Sequence, residues 1–393
     1  RSGGARRRRS ARGCGYHDAV RILVVANVAE DPNIGAAGTE YQTVAALRAL
    51  GHDVDAVWAD GVGRTIRHGN LNLLLELPRR YERVVAERLA RAPYDVIHMN
   101  QPHGYRAARL VQRRWPRTAF FHRSHGFEPR VEEVLASRRG PDERSALRRA
   151  ASSLIAPLVA RHYRAIVRWA DGHLVSSSDD RDYMIERYGV APERVAAIPQ
   201  AAPDEYLATP APPMTEARLR RVLYAGQFAF VKAPMIVAEA MNRIGNEATF
   251  TWVCAREHHD RVRALLAPGL RVELRDWMPQ SELRALYDAS GIFLFPSFYE
   301  GFGKAPLEAM SRGACVVASR IGGMRDVIES DSGVLVEPGD AAATADAALA
   351  LLRDLPRATA MSAAAARRAR QYSWSRTAAE IAAFYRARVE AKR

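Results

Sequence analysis

From Arg21 onward, short apolar runs alternate with amphipathic segments, and this beat stops once and then restarts. "RILVVA" leads through a glycine-containing loop into "TEYQTVAALRALGHDVDAVW", where Val44, Leu47 and Leu50 keep helical spacing and Gly51 closes the segment. Thr39 and Gln42 read as a capping box that starts this helix. "YDVIHM", "RTAFFHRSHG", "DGHLVSSS" and "VAAIP" are further strand candidates. Strands that alternate with helices in this way predict a mostly parallel sheet covered on both faces. "DEYLATPAPPMTEA", with three prolines and no periodicity, breaks the beat and reads as a linker. It resumes in "RVLYAG", "TFTWVCA", "RVELRDW", "GIFLFPS", "ACVVAS" and "GVLVEPG", and ends in the amphipathic "YSWSRTAAEIAAFYRARVE". The fold class is therefore α/β, two Rossmann-like doubly wound parallel-sheet domains. Their expected bounds are a basic, disordered extension over 1–19, a first domain over 20–205, a linker over 206–217, a second domain over 218–371 and a terminal helix over 372–393.

A chain of 393 residues, 48% of them hydrophobic, can fill two such cores. Cys14, Cys254 and Cys315 show neither pairing nor metal-ligand spacing, which points to buried thiols in a reducing, cytoplasmic compartment. No apolar run reaches the ~18 residues that a spanning helix needs. The net charge of +14 owes six arginines to the first thirteen residues, leaving about +8 elsewhere. That opening reads as a solvated tail, with a membrane-surface anchor or a nucleic-acid arm as alternatives. No zinc-finger or RNA-recognition signature follows, so nucleic acid is not an expected partner. The arginine-dotted stretch from Arg144 to Trp169 reads as a helix pair broken at Pro157, or as a face for anionic lipid at the membrane periphery.

The chemistry gathers in "FYEGFGKAPLEAMSRG" from Phe298. "GIFLFPS" is a buried strand and "KAPLEAMSRG" a helix ending at Gly313, so Tyr299 to Gly303 form a strand-to-helix crossover, where open α/β sheets bind ligands. Gly301 and Gly303 permit close backbone approach, and the helix start offers unpaired N–H groups. Glu300 at the strand exit and Glu308 one turn into the helix can face one crevice and grip hydroxyls. Spacing alone leaves Glu308 equally readable as a solvated surface carboxylate.

The segment "PSFYEGFGKAPLEAMSRGACVVAS" resembles the signature of the retaining glycosyltransferases of family 4, which have the GT-B fold of two Rossmann-like domains facing across a cleft. "RRVLYAGQFAFVKAP", "SELRALYDASGIFLFPS" and "RYGVAPERVAAIP" extend the resemblance over nearly the whole chain from Val20. It implies that Glu308 holds ribose hydroxyls, that Glu300 meets the donor sugar, and that Phe302 and Gly303 present backbone amides to sugar and diphosphate. It assigns Lys232 to the leaving diphosphate, together with the Gly226–Gln227 turn, and Gly35 and Gly38 to a glycine-rich loop closing on the donor. His125 matches a His-Gly pair beside the transferred sugar, although a lone histidine is more often structural. His103 and Glu128 are acceptor-side candidates. The implied partners are a nucleotide-diphosphate sugar and an acceptor glycan, lipid or small molecule. No cofactor is implied, and no metal: Asp53 to Asp55 sit within a strand rather than at its end.

Three departures bear on donor binding rather than on fold. Gln227 stands where the family has an arginine, Ala233 where glycine is common, and "IPQAAPDEYL" replaces an Asn-Gly turn. A protein that binds the donor without turnover, or another GT-B activity such as a sugar-nucleotide epimerase, are the alternatives to a metal-independent glycosyltransferase.

Overall fold

The computed structural model describes residues 19–32, 35–126, 128–138 and 146–393. All six expected strand segments of each half form. The first sheet holds β1 (Arg21–Val25), β2 (Asp53–Val57), β3 (Val96–Asn100), β4 (Ala119–Arg123), β5 (Gly172–Val175) and β6 (Val195–Ala197), in the order β2-β1-β3-β4-β5-β6. The second holds β7 (Arg221–Ala225), β8 (Thr249–Val253), β9 (Val272–Arg275), β10 (Ile292–Phe295), β11 (Cys315–Ser319) and β12 (Gly333–Val336), in the order β12-β11-β10-β7-β8-β9. Every neighbouring pair is parallel. Every residue of β3, β4, β10 and β11 is buried, as strands sandwiched between helix layers must be. Each buried Phe, Leu or Ile there contributes about 1.5–3 kcal/mol.

In each sheet the chain first builds outward on one side, then returns to the other. The reversal falls between β1 and β3 in the first sheet and between β7 and β10 in the second. Loops leaving the carboxyl ends of strands at such a point diverge and leave a crevice.

Two local expectations are corrected. The first helix runs Gly35–Ala49, so Thr39 lies a turn inside it, and Gly35 and Gly38 belong to its first turns rather than to a loop. The Thr39 hydroxyl bonds to the Gly35 carbonyl at 3.1 Å and to Gln200 Oε1 at 3.2 Å, so a partner 161 residues away replaces the local cap. Likewise Ala146–Trp169 is one continuous helix through Pro157. Its later part is anchored by Tyr163 and Ile166, which are fully buried in the first domain's core. Residues 1–18, with the arginine-rich opening, lie outside the described residues. Among the described residues no helix is long and apolar enough to cross a membrane.

The last helix, Trp374–Glu390, packs into the first domain: Ala378, Ile381, Ala382, Tyr385 and Val389 are buried with Ile22, Val24, Val44 and Leu47. The helical repeat of these five positions makes one apolar stripe. The proline-rich connection is pinned from the second domain by two buried arginines. Arg312 donates to the carbonyls of Tyr206, Thr209 and Pro210 at 2.7, 2.9 and 3.0 Å while pairing with Asp288 at 2.6 Å. Arg218 donates to the carbonyls of Pro212 and Arg312, each at 2.6 Å. The irregular part of the connection, from Thr209 to Pro212, thus has backbone acceptors satisfied by side chains.

Arg312→Met keeps the volume but removes these donors, and is expected to cost ~2–4 kcal/mol of stability. Chemical unfolding of the variant measures this, and a loss below ~0.5 kcal/mol would show that the connection holds without its arginine.

Candidate active site

The helix Lys304–Ser311 starts after Gly303, whose φ of 97° is left-handed and suits glycine. The N–H groups of Phe302 and Gly303 bond to no acceptor among the described residues, while the Phe302 ring is buried in the second domain's core. Lys232 ends a short 3₁₀ turn, Phe230–Lys232, in the loop after β7, the strand beside β10. The Phe298 N–H donates to the Val231 carbonyl at 2.8 Å, tying the two loops together. Lys232 Nζ then lies 2.5 Å from Glu300 Oε1 and 5.6 Å from the Phe295 ring centroid.

Glu308 is buried at 3% exposure, accepts from the Tyr287 hydroxyl at 3.2 Å, and has Lys304 Nζ at 3.9 Å. Burial raises its pKa, and the Lys304 charge and the Tyr287 bond oppose that only in part. The two carboxylates therefore do not confront each other bare, because each has its own ammonium.

The first domain meets this loop at the end of β4. A Cβ on Gly301 would collide with the His125 carbonyl oxygen, so glycine is what lets the two backbones touch. Gly126 lies against the Tyr299 ring, and the Tyr299 hydroxyl donates to Asp180 at 3.1 Å. His125 Nε2 lies 2.8 Å from Oε1 of Glu40, a wholly buried carboxylate on the helix Gly35–Ala49. Glu40 Oε2 is 3.4 Å from His98 Nε2 and 3.9 Å from Arg123 Nη1, and Arg123 donates to Thr43 at 2.7 Å. His98 Nδ1 in turn bonds to the Tyr385 hydroxyl of the last helix.

A second contact joins the domains beside the first. Asp179 and Asp180, at the start of the helix Ser178–Tyr188, both take Arg130 at 3.1 and 3.0 Å. Asp179 also accepts from Arg325 at 2.7 Å and from the Gly322 N–H at 2.9 Å. Burial pushes the Asp180 carboxyl up to about 6 against the pull of Arg130. Gly322 and Gly323 open the helix Gly322–Val327, where a Cβ on Gly322 would collide with the Glu300 carbonyl and one on Gly323 would sit 2.5 Å from the Phe302 carbonyl.

The structure thus brings Lys232, Glu300, Gly301, Phe302, Gly303 and His125 together, with Glu308 on the same helix start. Gly226 follows β7, where a Cβ would lie 2.7 Å from the Tyr224 hydroxyl, and Gln227 is exposed. Ala233 has a φ of 51°, which accounts for the preference for glycine there. Gly35 is exposed and Gly38 buried in the helix that carries Glu40. His103 is buried just past the end of β3, its Nδ1 3.0 Å from His162 Nδ1, and burial lowers it to about 3. The side chain of Glu128 lies outside the described residues, although its backbone begins the helix Glu128–Arg138. Sequence reasoning missed Glu40, Arg123, Asp179 and the pair Gly322–Gly323. Only the Gly-Gly pair before a helical segment carried a local signal. Among the described residues no cluster of three His, Cys, Asp or Glu could hold a metal ion.

A family model described as Glycosyltransferase Family 4 matches residues 35–205, and one described as Glycosyl transferases group 1 matches residues 220–354. A relative from Corynebacterium aurimucosum named D-inositol 3-phosphate glycosyltransferase is 30% identical over 240 residues, 55% of this chain and 56% of that protein. Another of that name, from Geodermatophilus obscurus, is 28% identical over 378 residues, 87% of this chain and 80% of its own. The corynebacterial matches span little more than half of those relatives' length, 56% in three of them. Sucrose-phosphate synthase from Thermosynechococcus elongatus superposes with a TM-score of 0.75 at 21% identity, covering 93% of this chain and 98% of its own. HepE from Anabaena, solved in complex with UDP and glucose, gives 0.63 at 18% identity over 92% and 98%. At these identities the likeness speaks for the fold, which is GT-B.

Gly301→Ala forces a methyl group into the His125 carbonyl. It is expected to cost ~1–3 kcal/mol by pushing the two loops apart. Thermal unfolding reads the loss, and an unchanged melting temperature would mean that the backbones do not touch in solution.

Proposed function

Because the chain belongs to the family 4 glycosyltransferases, we propose that it moves a sugar from a nucleoside-diphosphate donor to an acceptor hydroxyl with retention at the anomeric carbon. One observation carries the reading: Lys232 and Glu300 pair at 2.5 Å at the reversal point of the second sheet, on the loop that also meets His125 of the first domain. That arrangement suits a ligand with a cleavable anionic end and a hydroxyl-rich end. Names of relatives agree in kind, as D-inositol 3-phosphate glycosyltransferase and as a neighbour complexed with UDP and glucose.

In this reading the two carboxylate oxygens of Glu308 accept from the ribose hydroxyls. Glu300 accepts from hydroxyls of the donor sugar. The unpaired N–H groups of Phe302 and Gly303 meet the sugar and diphosphate. The bond from the anomeric carbon to the diphosphate oxygen breaks as the acceptor oxygen bonds to that carbon from the same face. The acceptor proton passes to the departing phosphate oxygen, leaving a glycoside and a nucleoside diphosphate. Charge on the leaving group is greatest during cleavage, and Lys232, already fixed by Glu300, stabilises it there. Exposed Gln227 supplies no second cation, which favours one alternative, a donor-binding protein without turnover. Release of nucleoside diphosphate from a donor panel separates the two.

Glu308→Ala is expected to weaken nucleoside-diphosphate binding, whereas Glu300→Gln leaves that affinity nearly intact and lowers transfer. Equal losses of affinity by calorimetry would overturn this division. Lys232→Ala should raise the barrier by ~2–4 kcal/mol, as for loss of one preorganised electrostatic donor. Undiminished turnover in that variant would remove the lysine from the mechanism.

A further inference from the structure

We propose that Glu40 is a positioning residue for His125, holding it in the tautomer protonated at Nε2 so that Nδ1 presents a lone pair to a ligand hydroxyl in the cleft. The inference rests on the transferase reading for the identity of that hydroxyl, but its structural core stands on the side chains alone.

An ionised carboxylate only accepts hydrogen bonds, so the ring nitrogen facing Glu40 Oε1 at 2.8 Å must be the one that carries hydrogen. In a neutral imidazole the other nitrogen is then unprotonated. Burial holds His125 below its ordinary pKa although Glu40 pulls the other way, so the ring stays neutral near pH 7. Burial alone would raise the Glu40 pKa. The His98 and Arg123 interactions and the His125 bond outweigh it and keep the carboxyl well below the usual carboxylate range.

His125 Nδ1 is buried and bonds to nothing among the described residues. A buried acceptor left unsatisfied is destabilising, and a donating hydroxyl relieves it. The ring cannot turn to relieve this without losing Glu40, and the backbone behind it is held against Gly301. Nor can Glu40 follow the ring. Its other oxygen faces His98 and Arg123, and those are held by Tyr385 and Thr43. The last helix is thereby linked to the His125 imidazole through Tyr385, His98 and Glu40. The partner of one ring nitrogen sets the tautomer and orientation of a histidine, and at metal-ligating histidines the loss of such a partner typically costs 10- to 100-fold.

The first test uses the unaltered full chain with ¹⁵N-labelled histidine, the His125 signals being assigned by their absence in His125→Gln. Long-range ¹H–¹⁵N spectra at pH 7 should show a protonated Nε2 and an unprotonated Nδ1. A proton on Nδ1, in the other tautomer or in an imidazolium, would overturn the proposal. The second uses Glu40→Gln, which keeps the shape and a carbonyl acceptor but not the charge. Turnover (kcat) should fall about 10- to 100-fold, while donor KM and the Kd for a nucleoside diphosphate stay within about threefold, since Glu308 is untouched. Unchanged kcat in the folded variant, or losses confined to KM, would sink the positioning role. If Glu40→Gln does not fold, the spectrum of the unaltered chain decides. Absence of nucleoside-diphosphate release from every donor would defeat the transferase reading, whereas the tautomer spectrum bears on Glu40 in either case.

Discussion

Two backbones touch across the cleft where Gly301 meets the His125 carbonyl, and this contact requires that position 301 carry no side chain. Much of the neighbourhood follows from that closeness. Gly126 lies beside the Tyr299 ring, Tyr299 reaches Asp180, and Gly322 and Gly323 let a third backbone approach the same loop. Glycines here are packing elements between main chains. Because main chains cannot change rotamer, the loop bearing Glu300 is held between two backbones unable to yield, those of His125 and of Gly322–Gly323.

Charge is handled by the same economy of space. Each buried carboxylate near the cleft has a cation at hand: Lys232 for Glu300, Lys304 for Glu308, Arg123 for Glu40 and Arg130 for Asp180. Burying any of these acids alone would be unfavourable by several kcal/mol. The pairs differ in tightness, from 2.5 Å at Lys232 to 3.9 Å at Lys304 and Arg123, and burial still raises the carboxyls of Glu308 and Asp180. A loosely paired acid that faces a crevice is suited to exchanging its partner for ligand hydroxyls, whereas the tightly paired Glu300 and Lys232 act as one unit.

The departures from the family pattern resolve unevenly. Gln200, in place of the usual Asn-Gly turn, is buried and bridges Ser176 after β5 to Thr39 on the first helix. Ala201 and Ala202 beside it are fully buried, and Ala202 bonds to Tyr372 where the chain crosses back. The substitution is absorbed by packing at the junction of the domains. Ala233 keeps the left-handed backbone at a steric cost of roughly 1–2 kcal/mol. Gln227 has no such structural account.

Strand order along the chain and the signature around Glu300 and Glu308 were legible, because apolar periodicity and glycines act through local geometry that neighbours in sequence determine. Tertiary structure decided what depends on residues far apart. Thr39 looked like a cap, but the helix begins a turn earlier at Gly35 and the Thr39 hydroxyl bonds to Gly35 and to distant Gln200. Pro157 looked like a break and was carried through by packing of the turns beyond it. Glu40 looked like one more polar residue on a helix. Its burial against His98, Arg123 and His125 exists only once β1, β3 and β4 lie side by side. No spacing rule reveals such a cluster, since its members come from a helix, two strands and a loop whose adjacency is a property of the folded sheet, not of the sequence that enters it.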